Sequence, residues 1–134
     1  MKSNETFKVA VYGTLLAGER NEGYADGAIS RVPCVIRGEL YDTGWGFPAF
    51  VPNGNGREVK AEVLMVDAKV LKSMDGLEGY PRFYRRDEVE AVLEDGSTVK
   101  AMVYVMNRLP PRAAVIASGD WRAHRAALDA AGRR

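Results

Sequence analysis

Phe7-Lys8-Val9-Ala10-Val11-Tyr12-Gly13-Thr14-Leu15 is the stretch around which the rest of the chain reads. Phe7, Val9 and Val11 fall on one face, and Lys8, Ala10 and Tyr12 on the other. This period of two, rich in β-branched and aromatic residues, predicts a strand over 7–12. Gly13 ends the alternation. A glycine directly after an apolar strand marks a tight turn or a place where the backbone comes close to something else. N–H groups freed at such a turn are donors that suit an anion such as a carboxylate. The same pattern also fits a strand that runs out into an ordinary loop.

Working outward, residues 18–27 are polar and glycine-rich, a loop or short irregular helix. Residues 32–42 read as a long strand in which Gly38 marks a bulge or a close approach. Ala49-Phe50-Val51 is a short strand, Pro52 to Gly56 a strong turn, and the alternating residues 58–66 a second hairpin arm. Asp67 is a good N-cap for a helix over 68–75 with Val70, Leu71 and Met74 as its apolar stripe, and 76–81 end it. Residues 84–93 and 98–106, joined at Asp95-Gly96, form an antiparallel hairpin. Two helical pieces are expected in 113–132, the second from Asp120 or Trp121 to Ala131. Strands joined by hairpins dominate and no strand–helix–strand rhythm appears, so a doubly wound parallel sheet is not expected. The reading is an α+β fold, a small mixed and mostly antiparallel β-barrel with one or two short flanking helices, as one domain over 1–134.

The chain has 134 residues, 46% of them apolar and 28% charged, with a net charge of +1. That size can bury a core, and the charge balance gives no general attraction to nucleic acid or anionic membrane. No leader-like segment and no apolar run of about 18 residues occurs, so the expectation is a cytoplasmic protein. The single cysteine, Cys34, lies in an apolar strand and reads as a core residue. With one cysteine and one histidine, a structural zinc site is not expected. His124 lies on a polar helix and reads as a surface residue, and Arg85-Arg86-Asp87-Glu88 as a solvated strand edge. Asp42, Asp67 and Asp75 are spaced as turn and cap residues.

Glu78 is the candidate for chemistry. It follows Leu77, sits between Gly76 and Gly79, and precedes Pro81. Burial of a carboxylate there would raise its pKa toward the range of a general base, whereas an exposed turn glutamate would do nothing. Tyr12, Tyr80 and Tyr84 could line a pocket or pack in the core.

Four motifs then occur in order. They are Val11-Tyr12-Gly13-Thr14-Leu15, Gly38-Glu39-Leu40-Tyr41-Asp42, Leu77-Glu78-Gly79-Tyr80-Pro81 with Tyr84 and Arg86, and Ile116-Ala117-Ser118-Gly119-Asp120-Trp121. Together, over residues 7–121, they resemble the gamma-glutamylcyclotransferase-like family. The resemblance implies a compact β-barrel with flanking helices. It implies that the backbone at Tyr12, Gly13, Thr14 and Leu15 holds the α-carboxylate of a γ-glutamyl group, that Glu78 is the catalytic glutamate and that Tyr84 lines the same pocket. It implies a cyclisation of the acyltransferase or amidine-lyase type, giving 5-oxoproline and a free amine, without metal or organic cofactor. The expected partner is a small γ-glutamyl compound, with no nucleic acid or membrane, the chain being a monomer or weak dimer. The chain departs from the family pattern at Met74-Asp75, where Leu-Asp is common, and at Leu16-Ala17-Gly18, where Lys-Arg-Gly is common. Segments 16–30 and 45–47 are the expected determinants of the leaving group. A non-catalytic binding module of the same fold, or an enzyme acting by ring opening or acyl transfer on a γ-glutamylated intermediate, would use the same elements.

Overall fold

The computed structural model describes residues 5–132. Seven strands form one sheet: β1 (Thr6–Val11), β2 (Ser30–Asp42), β3 (Pro48–Pro52), β4 (Arg57–Asp67), β5 (Tyr84–Leu93), β6 (Thr98–Met106) and β7 (Ala114–Val115). The path β2-β4-β1-β6-β5 closes on itself where Cys34 and Val35 of β2 pair with Leu93 and Val92 of β5. The result is a closed five-stranded mixed barrel, in which only β1 and β6 run parallel. Closure leaves the barrel strands few free edges, which suits a chain whose strands are this apolar. α1 (Ala68–Glu78) and α2 (Trp121–Ala130) flank it, and a 3₁₀ turn covers Glu22–Ala25. No helix among the described residues is long and apolar enough to cross a membrane.

The alternating pattern fails over the last three residues of β1 and in the middle of β4. Register puts Ala10, Ala61 and Val63 on one face and Val9, Leu64 and Val66 on the other, and all six are buried. One face lines the barrel core and α1 lies against the same two strands, so neither face stays wet. The charged residue Glu62 is carried inside with them.

Three sequence expectations are corrected. Pro52–Gly56 does not close a hairpin, because β3 and β4 pair with opposite sides of β2. The chain instead crosses over β2 at Gly38: a Cβ on Gly56 would lie 2.7 Å from the Gly38 Cα, and one on Gly38 would lie 2.3 Å from the Val51 carbonyl oxygen. Gly38 is therefore a close approach, and its pairing runs through without a bulge. The first helical piece expected after residue 113 is absent, since Ala114–Val115 pair with Tyr41 and Asp42 as β7. The helix expected to stop at Asp75 runs to Glu78. Gly76 is helical, and it is Gly79, at φ 68°, that ends the helix with its N–H on the Gly76 carbonyl and the Tyr80 N–H on that of Asp75.

Candidate active site

The longer helix changes the setting of Glu78. It is not a turn residue but the last residue of α1, aimed by a helix fixed at both ends. At the start, Asp67 accepts a hydrogen bond from the Val70 N–H at 2.9 Å. Near the end, the Tyr104 hydroxyl donates to the Asp75 carboxylate at 2.6 Å, and Arg86 lies 3.7 Å from the same carboxylate while stacking over the Tyr80 ring. Asp75, expected as a cap, is thus a tie between α1 and the barrel, and Arg86 is not merely a solvated edge residue.

Glu78 forms part of the wall of a cavity of about 270 Å³. Of the residues the sequence pointed to, Tyr12, Gly13, Thr14, Leu15 and Tyr84 share its lining with Glu78. The structure adds Tyr104, which the sequence did not signal, and brings in Arg20 and Phe47 from the two segments expected to determine the leaving group. Tyr80 lies outside it, half in solvent against Arg86.

The turn after β1 has a polarity that its sequence alone does not reveal. The Gly13 carbonyl accepts from the Leu16 N–H, the Thr14 carbonyl from the Asn21 N–H, and the Leu15 carbonyl from Arg31. The N–H groups of the same three residues have no acceptor among the described residues. A turn with its oxygens engaged and its amides unpaired is a nest for an anion. Gly13 also admits Pro48, whose Cγ would lie 2.5 Å from a Cβ at that position. Pro48 in turn offers its carbonyl to the Tyr84 hydroxyl at 3.5 Å. The buried Thr43 hydroxyl donates to the Phe47 carbonyl at 2.7 Å and shapes the 44–47 loop. That loop brings Phe47 to the cavity and Gly46 beside the Arg20 guanidinium.

The electrostatics separate acid from donor. Burial pushes the Glu78 carboxyl up to about 7, and no hydrogen-bond partner among the described residues opposes it. Burial also raises the Tyr12, Tyr84 and Tyr104 phenols, with the nearby Glu78 charge adding to each, so all three stay neutral donors. Tyr12 donates to the Tyr104 carbonyl at 2.7 Å. Burial pushes the Cys34 thiol up to about 12, which suits a core residue and not a nucleophile. His124, expected at the surface, is half-buried and pairs with Asp42 at 2.7 Å, holding α2 to β2. No cluster of three or more His, Cys, Asp or Glu able to hold a metal occurs among the described residues.

Comparison with known proteins bears on the family and the fold. A family model described as gamma-glutamyl cyclotransferase, AIG2-like, matches residues 9–123. A Vibrio cholerae protein provisionally named a gamma-glutamylcyclotransferase is 33% identical over 115 residues, which span 84% of this chain and 93% of its own. A similarly named protein of Halalkalibacterium halodurans, BH1612, is 36% identical over 92 residues, 66% of this chain and 81% of its own. The crystal structure of YkqA from Bacillus subtilis is alike in fold, with a TM-score of 0.73 at 24% identity. The match covers 94% of this chain but 43% of YkqA, so this chain spans under half of that protein. With most of its length matched by the family model and the barrel shared, the chain belongs to the gamma-glutamyl cyclotransferase, AIG2-like family.

Proposed function

We propose that the protein cyclises a γ-glutamyl amine or γ-glutamyl amino acid to 5-oxoproline, releasing the free amine, with Glu78 as the proton carrier. One observation carries this reading. A desolvated carboxyl and a turn of acceptor-free amides belong to the same small cavity. The amides of Gly13, Thr14 and Leu15 bind the substrate α-carboxylate. That places the α-ammonium, one carbon away, toward Glu78.

Ionised Glu78 takes a proton from the α-ammonium. The freed lone pair attacks the γ-carbonyl carbon and forms the new C–N bond of a five-membered lactam. The proton on Glu78 passes to the leaving nitrogen, and Glu78 then takes the second proton from the new ring nitrogen. The bond from the carbon to the leaving nitrogen breaks, and that second proton goes to the freed amine, which leaves as an ammonium. Atoms and charge balance without water, oxidant or cofactor. A carboxyl with a pKa about 7 is suited to both halves of the transfer, because it gives and takes a proton near neutral pH. The attack is intramolecular, so holding one conformer lowers the barrier, by about 7–11 kcal/mol for the best aligned pairs. Tyr12, Tyr84 and Tyr104 stay protonated and keep the site closed by their rings. Arg20 and Phe47 line the cavity where segments 16–30 and 45–47 meet, and they are the contacts assigned to the leaving amine.

The test is release of 5-oxoproline from a panel of γ-glutamyl amines, amino acids and dipeptides by the purified protein. Release from at least one is the expected result. No release from any, with glutamate binding retained, would identify a binding module instead.

A further inference from the structure

The buried Glu62 and the first turn of α2 make a cluster that the reaction itself does not use. Glu62 lies on β4, opposite Val11 of β1 and Pro33 of β2, with its side chain 11% exposed. Its Oε1 accepts from the Ala17 N–H at 3.0 Å and from Arg31, and its Oε2 accepts from Arg122 at 2.9 Å. The two arginines then reach past Glu62 to the loop. Arg31 donates to the Leu15 carbonyl at 3.2 Å, and Arg122 donates to the Ala17 carbonyl from Nε at 3.1 Å and from Nη2 at 2.7 Å. Two residues on, the buried Glu19 carboxylate accepts from Arg125 Nε at 2.8 Å and from its Nη2 at 2.7 Å.

A buried carboxylate is costly unless it is paired and hydrogen-bonded. Burial alone would raise the Glu62 carboxyl, but the Ala17 N–H and the two guanidiniums hold it below its ordinary value. It therefore stays charged, with its bonds directed at the backbone of residues 15–17. These are the residues that carry the amide nest into the chain beyond it. With the Leu15 and Ala17 carbonyls engaged on the Glu62 side, the nest amides are left to the cavity.

We infer that Glu62, Arg31 and Arg122 form a clamp through which α2 holds the amide nest in its substrate-binding geometry, so that the C-terminal helix sets affinity for the γ-glutamyl α-carboxylate without touching substrate. The inference rests on the proposed assignment of that carboxylate to the nest. These three are positioning residues. Their effect belongs in binding and not in the proton transfer, because none of them lines the cavity that holds Glu78. Uniform loss of substrate binding raises KM and leaves kcat alone.

The experiment compares Arg122→Ala with His124→Ala in the full chain. His124 ties α2 to Asp42 and touches neither Glu62 nor the loop, so its loss loosens the helix without releasing the clamp. Arg122→Ala is expected to raise KM about tenfold, with kcat nearly unchanged and the same pH inflection, since small misplacement of a binding group is expensive. His124→Ala is expected to leave KM at the wild-type value. The dissociation constant of L-glutamate, followed by the Thr14 and Leu15 amide signals, is expected to rise with KM. An unchanged KM and glutamate affinity in Arg122→Ala, or an equal rise in His124→Ala, overturns the clamp. Wild-type protein that binds glutamate at these amides but makes no 5-oxoproline overturns the reaction, and the glutamate constants then decide the clamp by themselves.

Discussion

The Tyr104 hydroxyl on β6 donates to the Asp75 carboxylate on α1 at 2.6 Å, three positions before Glu78. This bond crosses from barrel to helix and sets how far the last turn of α1 can move. Tyr104 is also the residue whose carbonyl accepts from Tyr12, so one residue connects the helix end to the strand that leads into the amide nest.

Tyr104→Phe removes only the hydroxyl. The loss of a hydrogen bond to a charged partner is expected to cost roughly 1.5–3 kcal/mol of stability, which urea denaturation measures. Arg86 still faces Asp75, so the fold is expected to persist. Turnover is expected to fall more than substrate affinity, because the displaced group is the proposed proton carrier at the helix end.

The rate of 5-oxoproline formation is expected to follow the ionisation of Glu78. Only the carboxylate can accept the ammonium proton, so kcat/KM rises with pH through an inflection near the value of about 7 that burial imposes. Glu78→Gln is expected to lose on the order of 10²–10⁴ in turnover, the usual share of a general acid–base group. Initial rates over a pH series check both. An inflection near the ordinary carboxylate value of 4.5 would remove Glu78 from the role.

The same group gives a stability signature that needs no substrate. The fold raises the Glu78 pKa from 4.5 to about 7, so the native state holds the proton more tightly than the unfolded chain. Stability from that proton is therefore complete below about 4.5 and is lost as pH rises through about 7. Glutamine cannot ionise and escapes the loss. Glu78→Gln is expected to exceed wild type by up to roughly 3 kcal/mol at pH 8 and to match it at pH 4. Denaturation at the two pH values checks the sign, and a variant less stable at pH 8 contradicts the buried setting.

Gly13→Ala tests the contact between the nest and β3. The new Cβ would stand 2.5 Å from Pro48 Cγ and 2.8 Å from its Cδ, both in a rigid ring paired through β3 to Asp42. Overpacking of this kind is expected to cost about 1–3 kcal/mol. Because Pro48 also lines the cavity, glutamate affinity is expected to drop with it. Calorimetric melting and a glutamate titration measure the two effects separately.

Local chemistry was readable from the chain. β1, β5 and β6 follow from their apolar alternation, the N-cap at Asp67 from its side chain, and the α2 start from Asp120, which accepts from the Ala123 N–H at 3.0 Å. Each depends on residues a few positions apart. Glu78 and the nest were legible as separate candidates because an apolar setting and a glycine after a strand are sequence features. Their meeting in one cavity was not, since it depends on barrel closure through Cys34–Leu93 and on α1 ending at Gly79 and not at Gly76. The burial of Glu62 lay beyond sequence for the same reason. Alternation reports a strand with one wet face, and it fails where loop and helix cover the second face. A charge can stay in that covered layer only because Arg31 and Arg122 arrive from β2 and α2 to neutralise it. Which residues could bind and which could carry a proton was a matter of side-chain type; which of them share one desolvated space was decided by contacts between parts of the chain far apart in sequence.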